Sequence, residues 1–441
     1  MRELQVETGF QESVALQKKL IVVLRQFIET TLEKPFFEFN RDDMFALRSK
    51  IAPDKVRIFL SEHQTIWQPV YETLKDVEDD GTILFMQIIK NINVHLHQLN
   101  GEMFIQFDYS KTIGRWWNLL SENSRGILYS YPQMNIISLP FHKFYNLDER
   151  YDTQLSTLNL NQPTYEMEKL DGSMIHVFES DNQLYASTRG AIQGYDINRT
   201  AKRLVYEQLN VNETLSLIRQ GYTPIFELLL TKENPNALVV IYEKEELRLI
   251  AVRNKNTGHY IHPLELANVA NTLGVKSAEI YQNKGLQAIL EERESIQNME
   301  GWVVYFEDGT FIKIKGEEYL SLLRPKGIVE RIKKSPAALG KIVFDLMQEN
   351  QLDDILANIR DKEVREAMEK MEGRITRIIN GWEAEAISIL HRHEDKPRAE
   401  FGRAVTAEPV EPIVVNMTFG MYTKKNTRMK LEYFGNLLTI E

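Results

Sequence analysis

The chain contains no cysteine. Disulfides are excluded, as is any metal site built on thiolates, and a reducing cytoplasm suits such a composition. No apolar run approaches the roughly 20 residues that a membrane-spanning helix needs. The run Leu20-Ile21-Val22-Val23-Leu24 is stopped by Arg25. The charged opening Met1-Arg2-Glu3-Leu4 does not read as a signal peptide, so a cytoplasmic location and no membrane partner are expected. None of the nine histidines falls in an H-E-x-x-H or other metal-ligand spacing. A G-x-x-x-x-G-K-[ST] phosphate loop is missing as well, which argues against an attached kinase. Positive charge is in deficit: 53 Lys and Arg against 63 Asp and Glu leave a formal net charge of −10. That disfavours a protein that coats nucleic acid indiscriminately. An enzyme acting on nucleic acid needs only a local basic face and stays open.

At 441 residues the chain exceeds what one hydrophobic core normally serves, and two or three domains are expected. Residues 1–95 read as a helical N-terminal extension. Between Glu12 and Thr31 the apolar positions Val14, Leu16, Leu20, Val23, Leu24, Phe27 and Ile28 follow a 3.6-residue period. Residues 96–320 switch to short strand-like runs, among them Met103–Phe107, Gly126–Tyr131, Ile225–Leu230, Leu238–Tyr242 and Leu247–Val252. Trp302–Phe306 and Thr310–Ile314, joined by Glu307-Asp308-Gly309, carry a hairpin signal. Helical patches at Arg199–Leu209 and Glu213–Arg219 interrupt the strands, so the fold class is α+β on antiparallel sheets. Residues 321–441 read as a mainly helical C-terminal domain with a less regular tail. Within it, Glu394–Glu411 reads as a linker or loop, and Pro412–Glu441 alternates like strands, with Lys424, Lys425, Arg428 and Lys430 grouped in it.

The central feature is Glu168-Lys169-Leu170-Asp171-Gly172-Ser173, which opens the apolar run Met174–Phe178. Alone it is turn chemistry before a strand. A lysine amine that loses its proton is also a nucleophile able to form a covalent intermediate. Further charged groups stand where strands would place apolar ones. Upstream are Arg125-Gly126 and Lys143-Phe144-Tyr145-Asn146; downstream are Thr188-Arg189-Gly190, Phe226-Glu227, Glu300-Gly301 and Phe311-Ile312-Lys313-Ile314-Lys315. In the last run a period of two puts Lys313 and Lys315 on one face, where two ammonium groups call for an anion between them. An exposed edge face explains those two lysines equally well, and a structural arginine could explain Glu227.

The order R-G, K-F-Y-N, K-x-D-G-S, T-R-G, F-E, E-G, K-x-K resembles the covalent nucleotidyltransferase superfamily. Within it, the chain is similar to the phage-type ATP-dependent RNA ligases of tRNA repair. The resemblance runs from about Arg125 to Tyr319 and includes Leu249–Asn254 with Thr257-Gly258-His259-Tyr260. It departs in two places: the family lysine of the T/S-K-G-S-I element is Arg189 here, and an arginine of its N-R-I-V run is Ala237. The resemblance implies a nucleotidyltransferase (adenylation) domain in which Lys169 attacks the α-phosphorus of ATP to give lysyl-AMP. AMP then passes to an RNA 5′-phosphate, and a 3′-hydroxyl displaces it. To attack at neutral pH, such an amine must give up its proton more readily than a free lysine. By the same resemblance Arg125, Lys143, Arg189, Lys313 and Lys315 contact phosphates, and Asp171 and Gly172 sit beside the nucleophile. Glu227 and Glu300 face the ribose or, with Asp171, a magnesium ion, for which manganese is a substitute. Tyr242 and Tyr319 are candidate nucleotide neighbours. The implied partner is RNA with 5′-phosphate and 3′-hydroxyl ends, including nicked tRNA, and a monomer is favoured. Alternatives left open are a DNA ligase, a GTP-using capping enzyme, and a non-catalytic RNA-end-binding protein whose helical C-terminal part reads RNA shape.

Overall fold

The computed structural model describes the chain except residues 111–112, 115, 161, 232–233, 235–239, 241, 283, 324–327, 358, 360, 424–430 and 439–441. Ala237 and the Lys424–Lys430 cluster lie outside the described residues, as does most of the Leu238–Tyr242 run. The chain forms two compact units, one of residues 1–18 and 91–324, the other of residues 19–90 and 325–441. The fold is α+β, with mainly antiparallel sheets in the first unit and helices in the second; Lys276–Ser277 and Tyr145–Asn146 pair parallel to their neighbours.

The first unit is built on three sheets. One runs in the order Glu3–Leu4, Tyr260–Ile261, Glu246–Asn254, Tyr222–Leu229, Ser173–Ser180, Gln183–Ser187, with Lys276–Ser277 beside Glu246–Asn254. The second runs Ile280–Gln282, Thr164–Lys169, Gly301–Phe306, Phe311–Lys315, Tyr145–Asn146. The third is a meander of Ile92–Leu99, Glu102–Tyr109, Arg125–Tyr131 and Ile136–Ser138. Alternation along strands decides which face meets which core. Val303 and Tyr305 join Met167, Leu228 and Leu249 in the core shared by the first two sheets. Trp302, Val304, Ile312 and Ile314 point the other way and are covered by Leu286 and Ile289 of the helix Leu286–Glu292. Lys313 and Lys315 therefore lie on the face opposite Ile312 and Ile314, as their spacing predicts.

The second unit centres on the 32-residue helix Lys362–His393, which buries Met368, Met371, Ile375, Trp382, Ala386 and Ile389 along one stripe. The stretch read as a linker contains the helix Arg398–Thr406, and the tail read as strands begins with the helix Pro412–Tyr422. Proline at the first helical position opens the latter without losing a bond, since that N–H would be unpaired anyway. Its buried residues Ile413, Val414, Met417 and Thr418 recur at helical spacing, so packing overrides the β-branched pair Val414-Val415. Helices 19–90 share this unit with residues 325–441. The linear division into 1–95, 96–320 and 321–441 keeps those helices apart, because an apolar stripe does not specify its partner.

Candidate active site

Lys169 ends the strand Thr164–Lys169, where it pairs in register with Gly301; Gly301 in turn pairs with Lys315. Three strands thus bring Lys169, the Glu300-Gly301 step and Lys315 to one level. Glu300, buried, bridges the two amines: Lys169 Nζ lies 2.5 Å from its Oε2 and Lys315 Nζ 3.1 Å from its Oε1. Lys313 sits two residues earlier on the same face, its ammonium 5.4 Å from the Phe144 ring centre.

Immediately after the lysine the chain turns sharply, and the turn is held from outside. Tyr319 donates its hydroxyl to Asp171 Oδ1 at 2.8 Å, the Val240 amide donates to Oδ2 at 2.8 Å, and the Asp171 amide donates to the Tyr242 hydroxyl at 2.9 Å. Gly172 is required by close approach: a Cβ there would stand 2.3 Å from the Leu228 carbonyl oxygen and 3.0 Å from Glu227 Cγ. That contact fixes the F-E strand against the K-x-D-G turn. The paired register of Glu227 with Met174 confirms the alignment.

Glu227 is the electrostatic meeting point of this group. Enclosure by protein pushes its carboxyl up, Lys169 draws it down, Glu300 pushes it up, and Arg125 and Asp171 add opposite smaller effects; the balance lies at about 8. Four other motif residues, Lys169, Glu300, Arg125 and Asp171, therefore act on one carboxyl.

A second meeting point is Tyr109, at the end of the strand Glu102–Tyr109. Burial pushes its phenol up, but Arg125, Arg189 and Lys143 together outweigh that and lower it. Arg125, Lys143 and Arg189 are thus gathered about one ring. Arg189 Nε lies 2.8 Å from Asp108 Oδ1, and its guanidinium carbon stands 4.4 Å from the Tyr109 ring centre. Burial raises Asp108 to about 6 despite that arginine. Lys143 lies 4.6 Å from the Trp117 ring centre and 3.6 Å from Glu149 Oε1. Arg125 Nη1 donates to the His142 carbonyl at 3.3 Å. The R-G and T-R-G elements interlock: Gly126 has φ +100°, and a Cβ on it would be 3.0 Å from the Arg189 carbonyl oxygen.

Asp108, Tyr109 and Trp117 escaped the sequence reading. A carboxylate directly after the strand-like run Met103–Phe107 was the available signal for Asp108; nothing marks Trp117 out from a core aromatic. Among the described residues, no three carboxylate or imidazole side chains converge as a metal cluster. Glu227, with Glu300 and Asp171 close enough to perturb it, is the group that a divalent cation would relieve.

Residues 123–320 match the family model described as RNA ligase. The match takes in Arg125 through Tyr319, every motif of the site. A protein of Thermovibrio ammonificans, provisionally named an RNA ligase, is 30% identical over 254 residues, 56% of this chain and 63% of that one. RNA ligase 1 of bacteriophage TS2126 is 23% identical over 251 residues, 54% of this chain and 58% of the phage protein. The chain spans less than two thirds of either relative. Among solved structures, an archaeal ATP-dependent RNA ligase superposes with a TM-score of 0.42 at 15% identity, covering 69% of this chain and 78% of that one. No residue-by-residue correspondence follows from a score of that size. The matched segment lies wholly within the first compact unit.

Proposed function

We propose that this chain is an ATP-dependent RNA ligase that joins a 5′-phosphate to a 3′-hydroxyl through lysyl-AMP and RNA-adenylate. The observation that carries this reading is the Lys169–Glu300–Lys315 bridge, set level by strand register and adjoined by Asp171 and Glu227.

Lys169 Nζ attacks the α-phosphorus of ATP; a P–N bond forms and pyrophosphate leaves. Glu300, already in contact with that nitrogen, is placed to hold the proton the amine gives up. Lys315, Lys313, Arg125, Lys143 and Arg189 oppose the triphosphate charge where it develops, the kind of preorganised stabilisation worth most in a desolvated site. The second transfer moves AMP to an RNA 5′-phosphate and restores the amine. The third lets a 3′-hydroxyl oxygen attack that phosphate, and AMP departs. Tyr319 and Tyr242 fix Asp171, and through it the turn that aims Lys169. Magnesium or manganese would be held by Glu227 with Asp171 or Glu300, one or two carboxylates being what such an ion takes beside phosphate oxygens. When bound it supplies neutralisation of phosphate charge. Nicked tRNA is the substrate we favour, acted on by a cytoplasmic monomer.

Intact-mass measurement after incubation with ATP and magnesium tests the first step, and a 5′-phosphorylated RNA, scored for circles and joined ends, tests the rest. Lys169→Ala should carry no AMP yet still seal RNA supplied already adenylated. An AMP adduct on that variant would refute the assignment, and labelling by GTP alone would refute a ligase.

A further inference from the structure

At the end of the central strands remote from Lys169, the turn Asn254–Gly258 has a role that the chemistry above leaves unused. Its backbone is fixed on every side. The Lys255 amide donates to the Gly221 carbonyl at 2.8 Å, the Gly258 amide to the Asn254 carbonyl at 2.9 Å, and Asn254 Oδ1 accepts from the Asn256 amide at 2.8 Å. The fully buried Arg253 ties it down further, its Nε to the Gly258 carbonyl at 2.8 Å and its Nη1 to the Pro140 carbonyl at 2.7 Å. What this rigid turn presents is Lys255.

Lys255 lines a cleft of about 670 Å³ together with Phe10, Ile137, Lys18, Arg219 and Asn135. That volume suits a ligand of small-molecule size. Among the described residues Lys255 Nζ has one protein acceptor, the Ile137 carbonyl at 3.3 Å. Burial lowers its pKa, and Glu179 opposes that only in part, so the ammonium is under-compensated. Glu179 is the cleft's one carboxylate, and Arg219 occupies both its oxygens, with a shortest contact of 2.5 Å. Lys18 is exposed and has no ion-pair partner among the described residues. Three cations against one neutralised carboxylate leave a surplus of two positive charges, in a chain whose total is −10. Since Tyr222 pairs with Asn254 and Glu227 with Arg248, the cleft begins five residues along the strand from Glu227, about 17 Å at about 3.3 Å per residue.

We infer that this cleft is a second phosphate-binding site, taking the backbone of the RNA strand several nucleotides away from the end being joined. The inference rests on the ligase reading for its substrate and adds a contact to it. Lys18 and Lys255 pair with phosphodiester oxygens, Asn135 supplies sequence-neutral hydrogen bonding, and the apolar lining of Phe10 and Ile137 accepts a base or ribose face. Short RNA reaches the catalytic site alone; longer RNA reaches both.

The test uses the full chain, with Lys18→Ala, Lys255→Met and the double variant, and 5′-phosphorylated RNAs of about 4 and about 16 nucleotides, measured by fluorescence anisotropy across a salt series. The double variant should bind the longer RNA about 10-fold more weakly, with a salt slope shallower by about 1.4, since each single-strand phosphate contact contributes about 0.7. Binding of the short RNA and AMP-adduct formation should not change. Unchanged affinity for the longer RNA, or equal weakening for both lengths, would overturn the inference. So would calorimetry in which the double variant loses a second ATP-binding event while its RNA affinity holds, which assigns the cleft to free nucleotides. Failure of the ligase reading is separate and shows in the wild-type protein as no AMP adduct. Lys18→Ala alters an exposed side chain, so its smaller loss, about 3-fold on the longer RNA, stands even if Lys255→Met disturbs the turn.

Discussion

Glu227→Gln isolates the carboxyl at the centre of the candidate site. Its pKa is about 8 in the folded chain against an ordinary 4.5, with burial the largest cause. A raised folded-state value means that the folded chain holds the proton more tightly than the unfolded chain. The contribution to stability is then complete below about pH 4.5 and is lost as pH rises through about 8. Between about pH 6 and about pH 9 the full shift is worth about 2.7 kcal/mol. Glu227 keeps some contact with solvent, and screening reduces this to about 1–2 kcal/mol. For a unit of this size that is a fall in Tm of about 3–8 °C over the same range, beyond the fall seen in Glu227→Gln. Thermal unfolding of both proteins at the two pH values measures the difference. Adding magnesium and ATP should shrink it, because a bound cation draws the carboxyl back down. Parallel pH dependence in the two proteins would refute the placement of Glu227 among Lys169, Glu300 and Asp171.

Gly172→Ala forces a methyl within 2.3 Å of the Leu228 carbonyl oxygen, and backbone displacement should cost about 2–3 kcal/mol, read as a Tm about 5–10 °C lower. Lys315→Ala leaves Glu300 with Lys169 alone; AMP-adduct formation should slow by about 10²–10³ in a single-turnover assay. Arg189→Lys keeps a cation near Asp108 but loses the flat guanidinium held over Tyr109, so joining should fall about 10-fold while the protein remains folded. In the second unit, Trp382→Ala removes a buried side chain of the long helix and should destabilise by about 3–5 kcal/mol in denaturant titration.

Much of this site was readable because strands convert spacing into placement. Phe311-Ile312-Lys313-Ile314-Lys315 states its two faces directly, and the structure buries Ile312 and Ile314 while turning the lysines the other way. Glu300 was legible as a carboxylate before a glycine that opens a strand. Its bridging of Lys169 and Lys315 was not, because register between strands 130 residues apart is a property of the whole sheet. Asp108 stayed hidden because the strand Glu102–Tyr109 runs past the apolar stretch Met103–Phe107 that any core strand could show. The helical tail was misread for a related reason: Ile413, Val414 and Val415 favour strands locally, and only the cores of Met417 and Phe401 nearby select the helix.

The level alignment of Lys169, Gly301 and Lys315 has a consequence for how the protein comes into being. Slippage of one residue between Thr164–Lys169 and Gly301–Phe306 would swing the Lys169 amine to the opposite surface, away from Glu300. On the chemistry proposed above, competence to accept AMP is therefore a report on sheet pairing, and the adenylated fraction of a freshly refolded preparation would count the molecules whose strands have found their proper partners.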